Sequence, residues 1–116
     1  MVSSSVVSRS VLEWEPGSLE IKFSVNRVFP YNEIRATLHG KSVGLFRYRL
    51  SDKYLRANGT EVLSGYQKHG IGQAMWSAAL KKHKPIGVVV CTVSEAGDKF
   101  VTKLMKLYPD LEWDKW

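Results

Sequence analysis

The residues with the clearest chemical potential lie between a short strand-like run and a helical pattern. Gly70 and Gly72 open the helix, and Gln67, Lys68 and His69 precede them in a loop. The first turn of a helix has backbone N–H groups without internal partners, and the helix dipole adds partial positive charge there. Because glycine lets a ligand approach the backbone closely, this strand, loop and helix predict a seat for a phosphate or diphosphate.

Composition limits the classes of protein to which the chain can belong. Its 116 residues suffice for one domain, and 44% hydrophobic with 24% charged residues is typical of a soluble globular protein. No apolar run is long enough to span a membrane, and residues 1–9 lack the features of a secretory signal. We therefore expect a cytoplasmic protein of one domain, 1–116, whose residues 1–9 are loose.

The net charge indicates which partners the chain can bind, and the cysteine and histidine content indicates whether it has disulfides or metal sites. The formal net charge of +6 favours something anionic, such as a coenzyme, a nucleic acid or an acidic protein surface. The single cysteine, Cys91, excludes an internal disulfide, and the three histidines show no metal-ligand spacing, so no metal site is expected.

The order of elements predicts an α+β domain. Alternating apolar residues and turn signals predict strands over 10–14, 19–25, 34–38, 43–50, 60–64, 86–93 and 111–116. Helical periodicity predicts helices over 72–83 and 95–107, the second with Ser94 as its N-cap. The order β-β-β-β-β-α-β-α-β indicates a mixed, mostly antiparallel sheet with a helix on each face. The apolar run 86–93 is typical of a strand covered on both faces, so Cys91 is expected in the core.

Three sequence words resemble those of GNAT-type N-acetyltransferases, from the second hairpin onward. Residues 67–72 read Gln-x-x-Gly-x-Gly and are similar to the Q/R-x-x-G-x-G/A signature of that family. Residues 40–44 resemble its G-x-x-V-G hairpin, and residues 94–104 resemble the helix word that follows the next strand. The resemblance implies a GNAT-like fold that binds acetyl-CoA as acetyl donor.

In that family the loop amides hold the diphosphate of acetyl-CoA, and the strands on either side of the first helix splay apart around its pantetheine arm. Carried onto this sequence, the resemblance implies that the cofactor-binding residues are Val62, Leu63, Ser64, Gln67, Lys68, His69, Gly70, Ile71, Gly72, Gln73 and Ser94.

The catalytic residues follow less directly. Ser94 stands where the family has Asn, and Val101 stands where it often has a Tyr that protonates the leaving thiolate. Tyr108, two turns later, is the remaining candidate acid. Glu61, on the strand that leads into the loop, is the candidate general base, and a solvated strand carboxylate is its alternative interpretation.

The implied function is acetyl transfer from acetyl-CoA to a primary amine of a protein or small molecule. Only residues 26–33 lie where family members carry the helices that cover the acceptor, so an open cleft or a homodimer is expected. The alternative hypothesis is a non-catalytic module of the same fold that engages a protein partner or, less favoured, nucleic acid through its basic surface.

Arg47, Arg49 and Arg56, with Lys53, form the best basic patch for that alternative. Because strand side chains alternate between faces, the arginines are expected on a solvated face, and the intervening aromatic side chains, such as Tyr48, in the core.

Overall fold

The computed structural model of the chain describes residues 19–25, 31–67, 69–92 and 94–116. Its strands are β1 (Leu19–Val25), β2 (Asn32–Leu38), β3 (Lys41–Ser51), β4 (Tyr54–Val62), β5 (Gly87–Val90) and β6 (Glu112–Lys115). Its helices are α1 (Ile71–His83) and α2 (Glu95–Leu107). The predicted strand over 10–14, most of the segment 26–33, and Lys68 lie outside the described residues.

The described strands form one six-stranded sheet in chain order, β1 to β6. The pairs from β1 to β4 are antiparallel, and the pairs β4–β5 and β5–β6 are parallel. Two-residue turns at His39–Gly40 and Asp52–Lys53, all with positive φ, match the twist of the hairpins they close. This architecture confirms the α+β, mixed and mostly antiparallel sheet with two main helices.

Both helices lie on the same face of the sheet, so the expectation of one helix on each face is wrong. The rings of Trp76 in α1 and Phe100 in α2 meet edge to face at 6.1 Å. Ser77 Oγ and the Tyr108 hydroxyl are 2.6 Å apart. Two successive right-handed crossovers in one direction along a sheet place their helices side by side, which explains the result.

The core lies between this face and the helices. Trp76 stacks on Phe46 at 4.6 Å, and Ile34, Tyr48 and Leu55 are buried beneath the helices. The opposite face, which we call the open face, carries the alternate side chains. Its members include Lys22, Glu33, Arg35, Arg47, Arg49, Tyr54, Arg56, Glu61, Glu112 and Asp114. No helix of the described residues covers the open face, so Arg47 and Arg49 are solvated and Phe46 and Tyr48 are core residues, as predicted.

The strand predicted over 60–64 starts earlier in the structure, because much of the segment 51–59, which lies between two predicted strands, belongs to β4. β4 begins already at Tyr54 and passes through Asn58 without a turn. Tyr48 pairs with Ala57 and Arg47 pairs with Gly59, so Asn58 is the extra residue of a β-bulge. Asn-Gly favours a turn only when the flanking strands are free to pair with each other; here both flanks pair with β3 instead.

Within the described residues, neither helix has the length and apolarity that crossing a membrane would require.

Candidate functional site

β4 and β5 separate after a short paired stretch. They pair only from Tyr54–Gly87 to Arg56–Val89, although β4 continues to Val62. Among the described strands, none pairs with residues 57–62 on the β5 side. The two strands therefore enclose an opening, which we call the cleft, whose closed end, the apex, lies at Arg56 and Val89.

The backbone of β4 directs hydrogen-bonding groups into the cleft. The Leu63 N–H donates to the Val43 carbonyl at 2.8 Å, and Glu61 is paired with Leu45, so these residues bond to β3. In an antiparallel pair the bonded residues alternate, which turns the N–H and C=O groups of Thr60 and Val62 toward the cleft. Gln67 Nε2 donates to the Val62 carbonyl at 3.1 Å, which is consistent with this direction.

The amino end of α1 lies at the mouth of the cleft and has no side-chain cap. Gly70 occupies the N-cap in the left-handed region, at φ 82°, and the first helical bond is from the Ala74 N–H to its carbonyl at 2.9 Å. The N–H groups of residues 71–73 therefore precede the first helical bond. No acidic side chain lies in the first turn, and a Cβ at Gly70 would meet nothing within 4 Å. The helix dipole thus faces open space that suits an anion.

The second glycine of the signature has a different local role. A Cβ on Gly72 would lie 3.3 Å from the Phe100 ring, so glycine lets α2 pack closely against α1. Ile71 is buried with its side chain in the core, beside Gly44 of β3. At these two positions only the backbone is left for a ligand.

The amino end of α2 lies beyond β5. Ser94 is its N-cap, as predicted, and its hydroxyl accepts from the Gly97 N–H at 3.0 Å. Asp98 in the first turn contacts Lys115 Nζ at 2.5 Å, and this hydrogen bond lowers the pKa of the Asp98 carboxyl. The Ser94 hydroxyl is therefore already engaged in capping.

The described members of the predicted cofactor set gather in two places besides the α2 N-cap. One group ends or follows β4, and the other forms the loop and first turn of α1: Val62, Leu63, Ser64, Gln67, His69, Gly70, Ile71, Gly72 and Gln73. Lys68 lies outside the described residues.

The structure does not bring the two predicted catalytic residues together. Glu61 is exposed on the open face near the end of β4. Tyr108 is the C-cap of α2, and its hydroxyl contacts Ser77 on the helix-covered side of the sheet. The roles of both residues remain predictions.

A second concave feature, which we call the apex cavity, lies on the open face beside the apex. It has a volume of about 360 Å³ and is lined by Tyr54, Arg56, Val89, Glu112, Trp113 and Asp114. The Tyr54 hydroxyl donates to the Glu112 carboxylate, and this bond raises the pKa of Tyr54. Sequence reasoning missed this cavity because it depends on β6 lying next to β5, which no local pattern reveals. The alternation of Glu112 and Asp114 was the available signal.

Cys91 was expected in the core, and that expectation is wrong. It follows β5 directly and is exposed. Val90 is buried under the helices, and Cys91, the next residue along the chain, falls on the opposite side near the end of β5 rather than between layers.

Comparison with known proteins identifies the fold. No protein-family model and no curated protein matches the sequence. Among solved structures, the ribosomal-protein-S18-alanine N-acetyltransferase from Escherichia coli has a TM-score of 0.62 at 13% identity, over 74% of this chain and 76% of that one. A GNAT family acetyltransferase from Streptococcus pneumoniae TIGR4 has a TM-score of 0.56 at 25% identity, over 66% of this chain and 64% of that one.

An aminoglycoside N-acetyltransferase solved with CoA is also similar, with a TM-score of 0.54 at 13% identity. The match covers 66% of this chain and 65% of that protein. The chain therefore has the fold of the GNAT-type N-acetyltransferases.

Proposed function

We propose that the chain binds acetyl-CoA in the cleft and transfers its acetyl group to a primary amine of a protein or small molecule. The observation that carries this proposal is the meeting of two features: the unpaired edge of β4 and the uncapped amino end of α1. Either feature alone is common. Together they offer amide donors to an extended ligand such as the pantetheine arm and to the anionic diphosphate at its end.

The residues present fit this ligand. The N–H groups of residues 71–73, with Gln67, His69 and Lys68 nearby in the chain, would hold the diphosphate. The N–H groups of Thr60 and Val62 would bond the pantetheine arm as a neighbouring strand does. Acetyl-CoA supplies the acyl group as an activated thioester. The protein aligns the acceptor with it, and alignment provides much of the rate.

Acid–base chemistry would come from side chains on both faces of the sheet. An amine attacks only after losing its proton, and Glu61 is the proposed base on the open face. Tyr108 is the proposed acid, with its hydroxyl held by Ser77. Because the helices fill the opposite face, an acceptor reaches the apex from the open face.

The test is a pair of substitutions at Gly70. Acetyl-CoA is expected to raise the melting temperature of the wild-type protein, since a ligand that binds only the folded state stabilises it. Gly70→Glu places a carboxylate at the anion seat and should abolish the shift. Gly70→Gln introduces the same backbone strain at φ 82° but no charge. This variant should therefore retain most of the shift in melting temperature that acetyl-CoA causes.

An unchanged melting temperature of the wild type at millimolar acetyl-CoA would refute the cofactor site. Under the same conditions, the Glu61→Gln variant should transfer acetyl groups to a primary amine about 100-fold more slowly than the wild type. Acetyl-CoA should still raise its melting temperature. Undiminished transfer by that variant would remove Glu61 from the mechanism and leave cofactor binding intact.

A further inference from the structure

Basic side chains cross the open face as a band, which we call the basic band. Its members are Lys22, Arg35, Arg47, Arg49 and Arg56, all exposed. Lys22 lies directly opposite Arg35 on the neighbouring strand, and Arg49 lies directly opposite Arg56. Like charges at directly opposed positions destabilise a sheet, so this arrangement costs stability unless an anion joins it.

The carboxylates that the described residues place on the open face neutralise the basic band only in part. Glu33 contacts Arg47 at 3.0 Å, and it is the carboxylate that pairs with the band within the described part of the chain. Arg35 donates to the Ser42 hydroxyl, and Arg49 lies over the Tyr31 ring at 5.7 Å, contacts that add no negative charge. The band therefore keeps most of its positive charge for an external ligand.

The band ends beside the apex, where the sign of the charge changes. Arg56 and Asp114 are both register partners of Val89, on opposite sides of it. Glu112 lies two residues before Asp114 on β6, and its carboxylate accepts a hydrogen bond from the Tyr54 hydroxyl. Among the ion pairs of the described residues, none joins Arg56 to Asp114. Opposite charges thus flank the apex cavity without neutralising each other.

We infer that the open face binds an acidic peptide, with the free amine of the peptide at the Asp114 side of the apex cavity and its acidic side chains along the basic band. This inference rests on the proposed acetyl transfer, for which it specifies the acceptor. Glu61 lies five residues beyond Arg56 on β4, about 15 Å away, so it takes up the proton of the amine through water, and Asp114 makes the direct contact with the amine. Arg56 on β4 and Lys22 on β1 are three strand spacings apart, about 14 Å, and their register partners on β3, Arg49 and Leu45, are four residues apart, about 13 Å. An extended peptide spans the resulting diagonal of about 20 Å in about six residues. The acceptor is therefore an amine followed closely by several carboxylates.

The face fits a peptide better than a nucleic acid. Bases need free aromatic faces, but Phe46 and Tyr48 are buried under the helices, and the Tyr54 hydroxyl is bonded to Glu112 across β5. Glu33 and Glu61 also interrupt the open face and would repel a continuous phosphate backbone. Separate carboxylates can instead meet separate guanidinium groups, each in a two-bond geometry.

The first experiment compares three octapeptides with a free amino terminus and a carboxy-terminal fluorophore. Positions 2–6 are Asp and Glu in one, Ser and Gln in the second, and Arg in the third, so that each carries a single primary amine. Anisotropy with the full-length chain at low salt should show the acidic peptide binding at least about tenfold more tightly than the neutral one. Added salt should narrow the gap. Equal binding, or preference for the Arg peptide, would overturn the inference.

A charge-reversal pair then locates the site. Arg49→Glu with Arg56→Glu should remove the preference for the acidic peptide. Lys103→Glu with Lys106→Glu makes the same change in net charge on exposed positions of α2 and should keep it. Circular dichroism confirms that both double variants are folded. Equal loss in the two would mean that only net charge matters and would refute the band as the site.

The direction of the peptide has its own test. Acetylation of the amino terminus should weaken binding of the acidic peptide to the wild type, and Asp114→Asn should remove that difference.

A 5-mer oligodeoxynucleotide that displaces the acidic peptide at lower concentration would overturn the assignment in favour of nucleic acid. Preferential binding of the acidic peptide without acetyl transfer to any of the three would refute the proposed enzymatic function while the peptide surface stands.

Discussion

At the scale of single residues, the exposed thiol of Cys91 reports on the cleft. It is the single cysteine of the chain and follows β5 where this strand leaves β4. If the cleft holds acetyl-CoA, the ligand should shield the thiol. We expect saturating acetyl-CoA to slow alkylation by iodoacetamide several-fold, measured by intact mass.

Gly70→Glu is the control for that measurement, because it should lose the ligand and therefore the protection. Protection that persists in this variant would show that the thiol responds to something other than occupancy of the α1 end.

His83 provides a second residue-scale prediction, about pH. Tyr48, whose pKa is raised to about 12 by burial, stays protonated, and its hydroxyl shares a hydrogen bond with His83 Nε2 at 2.6 Å. Burial, and then the charge of Lys82, lower the pKa of His83 below its ordinary 6.5. As pH falls, the unfolded chain therefore takes up the proton first. Stability should be complete above pH 6.5 and decline as the pH drops below it.

The check is the urea midpoint at pH 7.5 and pH 5.5 for wild type and His83→Gln. Glutamine can still accept the Tyr48 hydrogen bond but does not titrate, so the difference between the two midpoints should shrink. A wild-type difference carried over unchanged into His83→Gln would assign the pH dependence to other groups.

At the scale of elements, periodicity and capping were sufficient for the helices. The apolar spacing of α1 and the Ser94 cap of α2 are local signals, and both helices end within a residue of prediction. The order of elements follows because local patterns mark the strands: alternating apolar residues in most of them and a continuous apolar run in β5. What could not be predicted is long-range: β4 continues through Asn58 because β3 pairs with it, and Tyr108 reaches Ser77 because two crossovers run in the same direction.

The candidate site divides in the same way. The amino end of α1 is readable from the glycines, because a helix start is a local event. The unpaired edge of β4 and the apex cavity are not readable, because both arise where distant segments of the chain meet. Even Gly72, the last residue of the signature, is explained in the structure by the Phe100 ring that only the fold brings beside it.

Gly87 carries the element-scale prediction. A Cβ there would lie 2.5 Å from the Tyr54 ring and 2.6 Å from the Glu112 carbonyl oxygen, so glycine lets the ring cross β5. Gly87→Ala should destabilise the protein by about 1–3 kcal/mol, because backbone stands in the way. Gly44→Ala should cost less, since its nearest contact, at 2.9 Å, is the mobile end of Met75. Urea unfolding measures the free energy of unfolding of both variants. Equal losses of free energy in the two would contradict this account of the β5–β6 junction.

At the scale of the whole molecule, the two faces of the sheet and the cleft within its plane have different roles. One face is buried under both helices and supplies stability. The other is polar in the described residues and bears the basic band. Between them, the cleft opens within the plane of the sheet, so a ligand in it can be reached from the open face without disturbing the core.

This arrangement predicts where acetyl-CoA slows backbone amide exchange. The amides of residues 71–73 and of Thr60 and Val62 lack partners in the free protein by the geometry described, and should gain them on binding. Exchange mass spectrometry should therefore show protection confined to peptides that cover 57–73 and the start of α2. Peptides from β2 and β3 should be unaffected, because both strands are paired on both sides within the sheet. A second groove, of about 310 Å³ between the carboxyl ends of the helices, provides the contrast. Protection centred there, at Leu80–Lys84 and Leu107–Leu111, would place the ligand at the wrong end of the helices and refute the cleft. Gly70→Glu should erase the pattern, whereas Gly70→Gln should reproduce it.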